Sequence, residues 1–590
     1  MKRFFTKFYV FGTLSFLILG SFACTNFDKL TDGTSVYLDT DLLLNPLTVQ
    51  IIDANMGGIL PEDLTVEVVG KDADKVYTLL GEKDLVVNTN KDDEGVGILP
   101  IGILRSDEPS MDNPLQFSLI VKGKGFVDGI KTFSLTDGTT PRFETIKLVR
   151  IAEPAQAVSV EKELFSAEES GTSAAIELET ASNSMQESVS VTVPQGAVLY
   201  NESGKKLSGQ FKSTLVHYDL HSSEGLSILP GGLYSDDARD ANGYSLGSLS
   251  FAPVAAISLD MYSGEDQVRT FSQPLDVTFQ LNSNIYNPNT GENIKAGDEA
   301  TVWSFNEKIG QWQYETKATI FNNQGQLAVS YQQTHLSVWL VSFSSSACVF
   351  GAQVNINSGI DISDPEHYFY VELIDVGTNV RIANNFFRFY NGETIQMMRV
   401  ASREVVLKVY DGFTEDCKGE LIKQSQPFDL CTGNIVFDLT NELSGDNLFT
   451  VNVQVQGTCS ADFDNLVIIP TVPILYRACG CESWSMLGVL TSGQGSTSAL
   501  VKGQCYDFRM AYRDLDRCLT YITVPTEDAQ IEVASPVYDF YETIDVVYED
   551  DGHTVNFIYT DIQVPDLACD EYIYHFGVNS GGNDGRDDDN

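Results

Sequence analysis

The stretch Val189-Ser190-Val191-Thr192-Val193 (VSVTV, 189–193) sets the reading of the whole chain. Apolar β-branched residues alternate with small hydroxylated ones, which puts the valines on one face of an extended strand and the hydroxyls on the other. A helix would scatter the same valines around its circumference. The pattern recurs in LTVQIID (47–53), LTVEVVG (64–70), VVLKVY (405–410), LFTVNVQVQ (448–456) and VNFIY (555–559), nearly all bounded by turn residues. Helical windows are almost missing, VEKELFSAEES (160–170) being the best of them. Short strands at regular spacing with one buried face predict an all-β chain of several consecutive antiparallel, Ig-like β-sandwich domains.

At 590 residues the chain exceeds a single hydrophobic core and should divide into about four domains. Composition shifts place them at 36–150, 155–345, 347–445 and 446–572, followed by an acidic tail, 573–590, with nothing to bury and expected to be disordered. In the first, a strand, an Asp-Ala-Asn-Met-Gly-Gly turn (53–58), a second strand and PLQFSLIVKGKGFVDGIKTFSL (114–135) resemble the carboxypeptidase-regulatory or transthyretin-like sandwich. In the second, VSVTVPQGAVLYNESGKKLSG (189–209), LPGG (229–232) and HLSVWLVSF (335–343) resemble the ZU-type sandwiches of ankyrins and netrin receptors and their bacterial surface relatives. That resemblance implies binding rather than turnover. The third and fourth domains read as paired cysteine-bearing sandwiches, with VVLKVYDG (405–412) and CYDFRMAYRD (505–514) as distant copies of one plan.

The N-terminus reads as an export signal, 1–23. Lys2, Arg3 and Lys7 precede an apolar run, Phe8 to Gly20, that is too short to span a bilayer, and Ser21 and Ala23 flank Phe22 just before Cys24. Cleavage before Cys24 would expose a thiol able to carry a lipid, with 24–35 as a linker. Ordinary secretion would cut at the same bond and leave a free soluble chain. The first arrangement resembles bacterial lipoproteins, although Ser21 stands where that family usually has leucine. Thr25 rather than aspartate after the cysteine implies, by the same resemblance, the outer membrane. Asp28 and Asp32 are the only acidic residues near the anchor, a slight pointer to the outer face.

A net charge of −45 opposes nucleic acid and anionic headgroups and keeps a large surface protein soluble. Nine cysteines beyond Cys24 all lie past residue 347: Cys348, Cys417, Cys431, Cys459, Cys479, Cys481, Cys505, Cys518 and Cys569. In an oxidising compartment they are disulfide candidates, with Cys417 and Cys431, bracketing a short hairpin-like stretch, as the first pair expected and one thiol left over.

Four patterns invite chemistry. Gly243-Tyr244-Ser245-Leu246-Gly247 matches a nucleophile elbow, but strand-like sequence follows where a helix is needed. On a strand, His217, Asp219 and His221 would share a face able to hold a metal, while Val216, Tyr218 and Leu220 point into the core; a plain polar outer face gives the same pattern. Asn90 to Gly95 spaces acidic groups as calcium loops do, but Ile101 stands where the bidentate glutamate belongs, and Glu549 to Gly552 reads as a hairpin turn. Trp303, Trp312 and Trp339 read as core. Trp484 and the tyrosines Tyr538 and Tyr541 are candidates for stacking on sugar rings, if exposed. The leading expectation is a non-enzymatic lipoprotein, anchored to the outer membrane through Cys24 and facing the surface. It would act as an adhesion or protein-binding scaffold, or as accessory subunit of an outer-membrane barrel, without a cofactor. Its composition and domain types resemble surface lipoproteins of Bacteroidota. A glycan-binding lipoprotein is the alternative, and a hydrolase or metalloprotein the third reading.

Overall fold

The computed structural model describes residues 37–39, 43–90, 93–138, 141–182, 187–411, 417–443, 449–463, 466–510, 517–535, 540–566 and 569–570. The export segment, Cys24 with its linker, and the tail 573–590 lie outside the described residues. Within them the chain is all-β and built of packed sheets. Helix is confined to short pieces, among them the six-residue Ser223–Ile228, whose N-cap Ser222 accepts from the Gly225 N–H. The stretch with the most helical character, 160–170, falls in and just beyond strand Val158–Glu168. It pairs along its length with Gly209–Tyr218, so cross-strand partners override a weak local preference.

The first domain packs a sheet built around strands Leu44–Asp53, Asp93–Ile103 and Arg142–Arg150 on a second of Thr65–Val69, Leu115–Lys122 and Gly129–Leu135. Leu47, Val49, Ile51, Ile101, Leu119 and Leu148 fill the space between. The third domain repeats this plan with strands from Cys348–Asn357 to Asn434–Asp438, and the fourth with strands from Thr450–Thr458 to Thr554–Gln563. In all three the first and last strands lie side by side and run parallel, with Leu47 opposite Arg142, Gln353 opposite Asn434 and Val451 opposite Val555. The sandwiches are therefore mixed rather than purely antiparallel. Alternation of apolar and polar residues is the same for either direction, so the pattern carries no sign of it. VVLKVY lies in Glu404–Asp411 and CYDFRM in Cys505–Met510, and these strands hold equivalent central places in the second sheet of their domains.

The second domain is larger. One sheet runs through Val158–Glu168, Gly209–Tyr218 and the long strand Ser245–Ser263, which also pairs with Val338–Ser346 and so closes the last five strands into a ring. The other centres on Ser188–Val193 and Thr270–Leu281. In Ser188–Val193 all three valines are fully buried and the hydroxylated residues are half-buried, as the alternation requires.

These domains interlock. Val69, Ile120 and Ile130 on one face of the first domain join Tyr218, Trp303, Phe305 and Trp312 of the second in one apolar cluster. Val96, Ile98 and Phe143 on its other face join Tyr368 of the third and Leu475, Trp484 and Met486 of the fourth. The Arg509 guanidinium, wholly buried, donates to the carbonyls of Asn88 (3.1 Å) and Val96 (3.1 Å) across the first–fourth junction, and the Trp484 N–H donates to Gln50 Oε1 (3.0 Å). Arg399 pairs with Asp236 at 2.6 Å between the third and second domains. Strand Tyr37–Asp39 pairs in parallel with Val467–Ile469, so the start of the described chain is an edge strand of the fourth domain.

Four disulfides join Cys348–Cys431, Cys417–Cys481, Cys459–Cys569 and Cys479–Cys505, and Cys518 carries the odd thiol outside these bridges. The expected Cys417–Cys431 pair does not form. Cys431 lies beside the strand that holds Cys348, with its Sγ 3.6 Å from the Val400 carbonyl, whereas Cys417 precedes Glu420–Gln424 in the opposite sheet. Cys417 instead reaches Cys481, which ties the third domain to the fourth.

Candidate functional site

From Ser213 onward, strand Gly209–Tyr218 is buried on both faces, and this decides where the sequence candidates lie. His217 faces inward to the second domain's own core, its ring 5.8 Å from that of Phe279. Val216 and Tyr218 face the first domain. The expected assignment of faces is thus reversed, and His217, Asp219 and His221 do not converge as a ligand set. Burial drives the His217 pKa down to about 4, and its Nδ1 has no hydrogen-bond partner. The strand ends at Tyr218, after which Asp219 turns its carboxylate onto the His221 N–H at 3.1 Å. His221 Nε2 sits 3.2 Å from Glu187; burial opposes its charge, but the glutamate outweighs this and the pKa is raised. Among the described residues no group of three or more His, Cys, Asp or Glu side chains is placed to hold a metal.

The remaining candidates are structural in their settings. Ser245 opens a 19-residue strand instead of a helix, and its hydroxyl donates to Asp237 and accepts from the Gly247 N–H. Asn90 and Asp93 are paired in a hairpin whose turn, 91–92, lies outside the described residues. Glu549 to Gly552 turns a hairpin, with the Gly552 N–H donating to the Glu549 carbonyl at 3.1 Å. All four tryptophans are buried; Trp484 carries the Arg477 guanidinium 4.4 Å from its ring and offers no face to a sugar. Tyr541 is exposed, and Tyr538 lies outside the described residues.

A polar recess lies elsewhere, between the first and second domains, with a cavity volume of about 550 Å³. In strand Ser245–Ser263 the register sets Ala256, Ser258, Asp260 and Tyr262 on the face turned to the first domain, beside Tyr218 and Val216 of the neighbouring strand. The apolar interface ends near Ala256, and beyond it the two domains diverge. Lys122 and Asp128 enter from the first domain, and Asp260, Tyr262, Arg269 and Glu307 from the second. Arg269 pairs with Glu307 at 3.3 Å, while Lys122 lies 3.3 Å from Glu67 and only 3.9 Å from Asp128. Asp260 accepts from the Gln267 amide at 3.0 Å. Burial, then the Asp260 charge, pushes Asp128 up to about 7; burial, then Glu307, raises Asp260. Nearby the Tyr218 hydroxyl is buried beside Ser258. These residues come from several segments distant in sequence, so no local motif could have announced them.

Comparison with known proteins adds little beyond fold. A family model described as FAM171A1/A2/B, N-terminal, matches residues 229–345, within the second domain. No curated protein matches significantly. Among solved structures, the Bacillus anthracis TIE protein is similar at 11% identity over 86% of this chain and 59% of its own, with a TM-score of 0.12. This chain thus spans well under two thirds of that protein. BcpA, the major pilin subunit of Bacillus cereus, is similar at 10% identity over 66% of this chain and 98% of its own, with a TM-score of 0.12. The RrgB pilus protein of Streptococcus pneumoniae is similar at 8% identity over 89% of this chain and 99% of its own, with a TM-score of 0.10.

Proposed function

We propose that the chain is an exported, non-catalytic binding scaffold of adhesin type, held at the outer membrane by a lipid on Cys24. The observation that carries the scaffold reading is the locking of its domains. The Cys417–Cys481 bridge and the buried Arg509 contacts join the first, third and fourth sandwiches, and a shared apolar cluster joins the second. A body locked in this way presents fixed recesses and edges to a partner, and a preorganised surface binds at lower entropic cost. The four disulfides suit an oxidising compartment outside the cytoplasm. Twelve residues lie between Cys24 and strand Tyr37–Asp39, which belongs to the fourth domain's sheet. At ~3.4 Å per residue the linker reaches at most ~45 Å, so the anchor keeps the fourth domain nearest the membrane. In fractionated cells the wild-type protein is expected with the membranes and a Cys24→Ser variant in the soluble fraction. Membrane retention of Cys24→Ser would remove the lipid anchor from this reading.

A further inference from the structure

We infer that Lys131 and Asn385 become joined by an intramolecular isopeptide bond, with Glu144 as the proton carrier, tying the first domain covalently to the third. The three side chains come from strands Gly129–Leu135 and Arg142–Arg150 of the first domain and Arg381–Phe387 of the third. The last is an edge strand of its sheet, which leaves Asn385 facing the junction. Lys131 Nζ donates to Glu144 Oε2 at 2.9 Å, and Asn385 Nδ2 donates to Glu144 Oε1 at 3.3 Å. One carboxylate therefore holds an amine and a primary amide side by side, and groups held in this way react far faster than the same groups free in solution.

The amide is also oriented. Asn385 Oδ1 accepts from the Phe386 N–H at 2.8 Å, while Nδ2 faces a carboxylate that can only accept, so the two ends of the side chain are distinguished. That N–H sits where negative charge gathers on the oxygen during attack at Cγ. A second bond, to the Thr145 carbonyl at 3.0 Å, steers the Lys131 amine. The Phe143 and Phe386 rings, each next in sequence to a member of the set, pack 6.0 Å apart and hold the two strands together. Lys205, Asp266 and Asn201 repeat the same contacts at the surface of the second domain. There the lysine and the carboxylate are 66% and 44% exposed, against 35% and 20% for Lys131 and Glu144, so water competes for them more strongly. The inference is confined to the junction.

The step balances without a cofactor or oxidant. The Lys131 ammonium passes a proton to Glu144, and the freed amine attacks Asn385 Cγ to form the C–N bond. Glu144 returns the proton to Nδ2, the Cγ–Nδ2 bond breaks, and ammonia leaves. The second Nζ proton passes through Glu144 and departs with the ammonia as ammonium. One lysine ammonium and one asparagine amide thus give one secondary amide and one ammonium ion. This is a single closure of the chain on itself, not turnover of a substrate, and it stands apart from the lipid anchor.

The test is tryptic digestion of the purified, reduced full-length protein, read by tandem mass spectrometry. The expected product is a branched species in which Gly125–Arg142, uncut after Lys131, is joined to Ile382–Arg388 with the loss of one ammonia. It should be absent from Lys131→Arg and reduced about tenfold or more in Glu144→Gln. Thermal melts establish that both variants fold. Recovery of the wild-type protein mainly as separate peptides, with cleavage after Lys131, would overturn the inference and leave a plain hydrogen-bonded ion pair. A loss of ammonia that maps elsewhere, or an undiminished link in folded Glu144→Gln, would overturn it as well.

Discussion

Burial against Phe279 holds the His217 imidazole near a pKa of 4, so this ring enters the folded state uncharged. In the unfolded chain it titrates near 6.5, and between those values the unfolded state binds the extra proton. Stability is therefore complete above about pH 6.5 and falls as pH drops toward 4. A His217→Phe variant keeps a ring against Phe279 and removes both the titrating group and the unpartnered Nδ1. Its thermal midpoint is expected to equal or exceed that of the wild type at pH 7, with a widening advantage from pH 6 to pH 4; parallel loss of stability in both proteins would contradict this. The sequence showed that His217 and Tyr218 lie on opposite faces of a strand, but not which face meets which core. Alternation identifies a buried face only when the other is wet, and here the second face is covered by another domain. Asp128 and Asp260 were illegible for a related reason: each is an ordinary acidic residue until the junction brings them together.

At the scale of elements, the LPGG stretch has a specific task. Gly231 holds a φ of +78°, donates its N–H to the Ile130 carbonyl of the first domain at 3.0 Å, and lies under the rings of Phe305 and Trp312. A Cβ there would come within 2.6 Å of the Phe305 ring, whereas one on neighbouring Gly232, with a φ of +65°, would meet nothing within 4 Å. Both positions disfavour a side chain on backbone grounds, but only the first also lacks room. Gly231→Ala is expected to cost about 2–4 kcal/mol and Gly232→Ala about 1 kcal/mol in urea denaturation. Equal costs would mean that the rings yield. Strand positions were readable because VSVTV and its counterparts repeat a period of two. Strand direction was not, since the parallel first and last strands of three domains have the same alternation as antiparallel ones. Disulfide pairing was also hidden: proximity in sequence suggested Cys417 with Cys431, while the sheets placed those residues apart.

Over the whole molecule, a division into sandwiches was legible from length and strand spacing, but their packing was not. Separate sandwiches suggest a flexible string, yet the first domain is covered on one side by the second and on the other by the third and fourth. The apolar residues that form these junctions resemble core residues in sequence, and only the assembled fold separates the two uses. The N-terminal strand on the fourth domain extends the same closure toward Cys24. A closed, locked body on a short lipid tether at the cell surface is the central claim. It is tested most directly by protease treatment of intact cells, followed by mass spectrometry of the peptide that stays in the membrane. The account predicts cleavage in intact cells, together with a retained peptide that begins at Cys24 and carries lipid. A chain protected from the protease, or released with an unmodified Cys24, would contradict it.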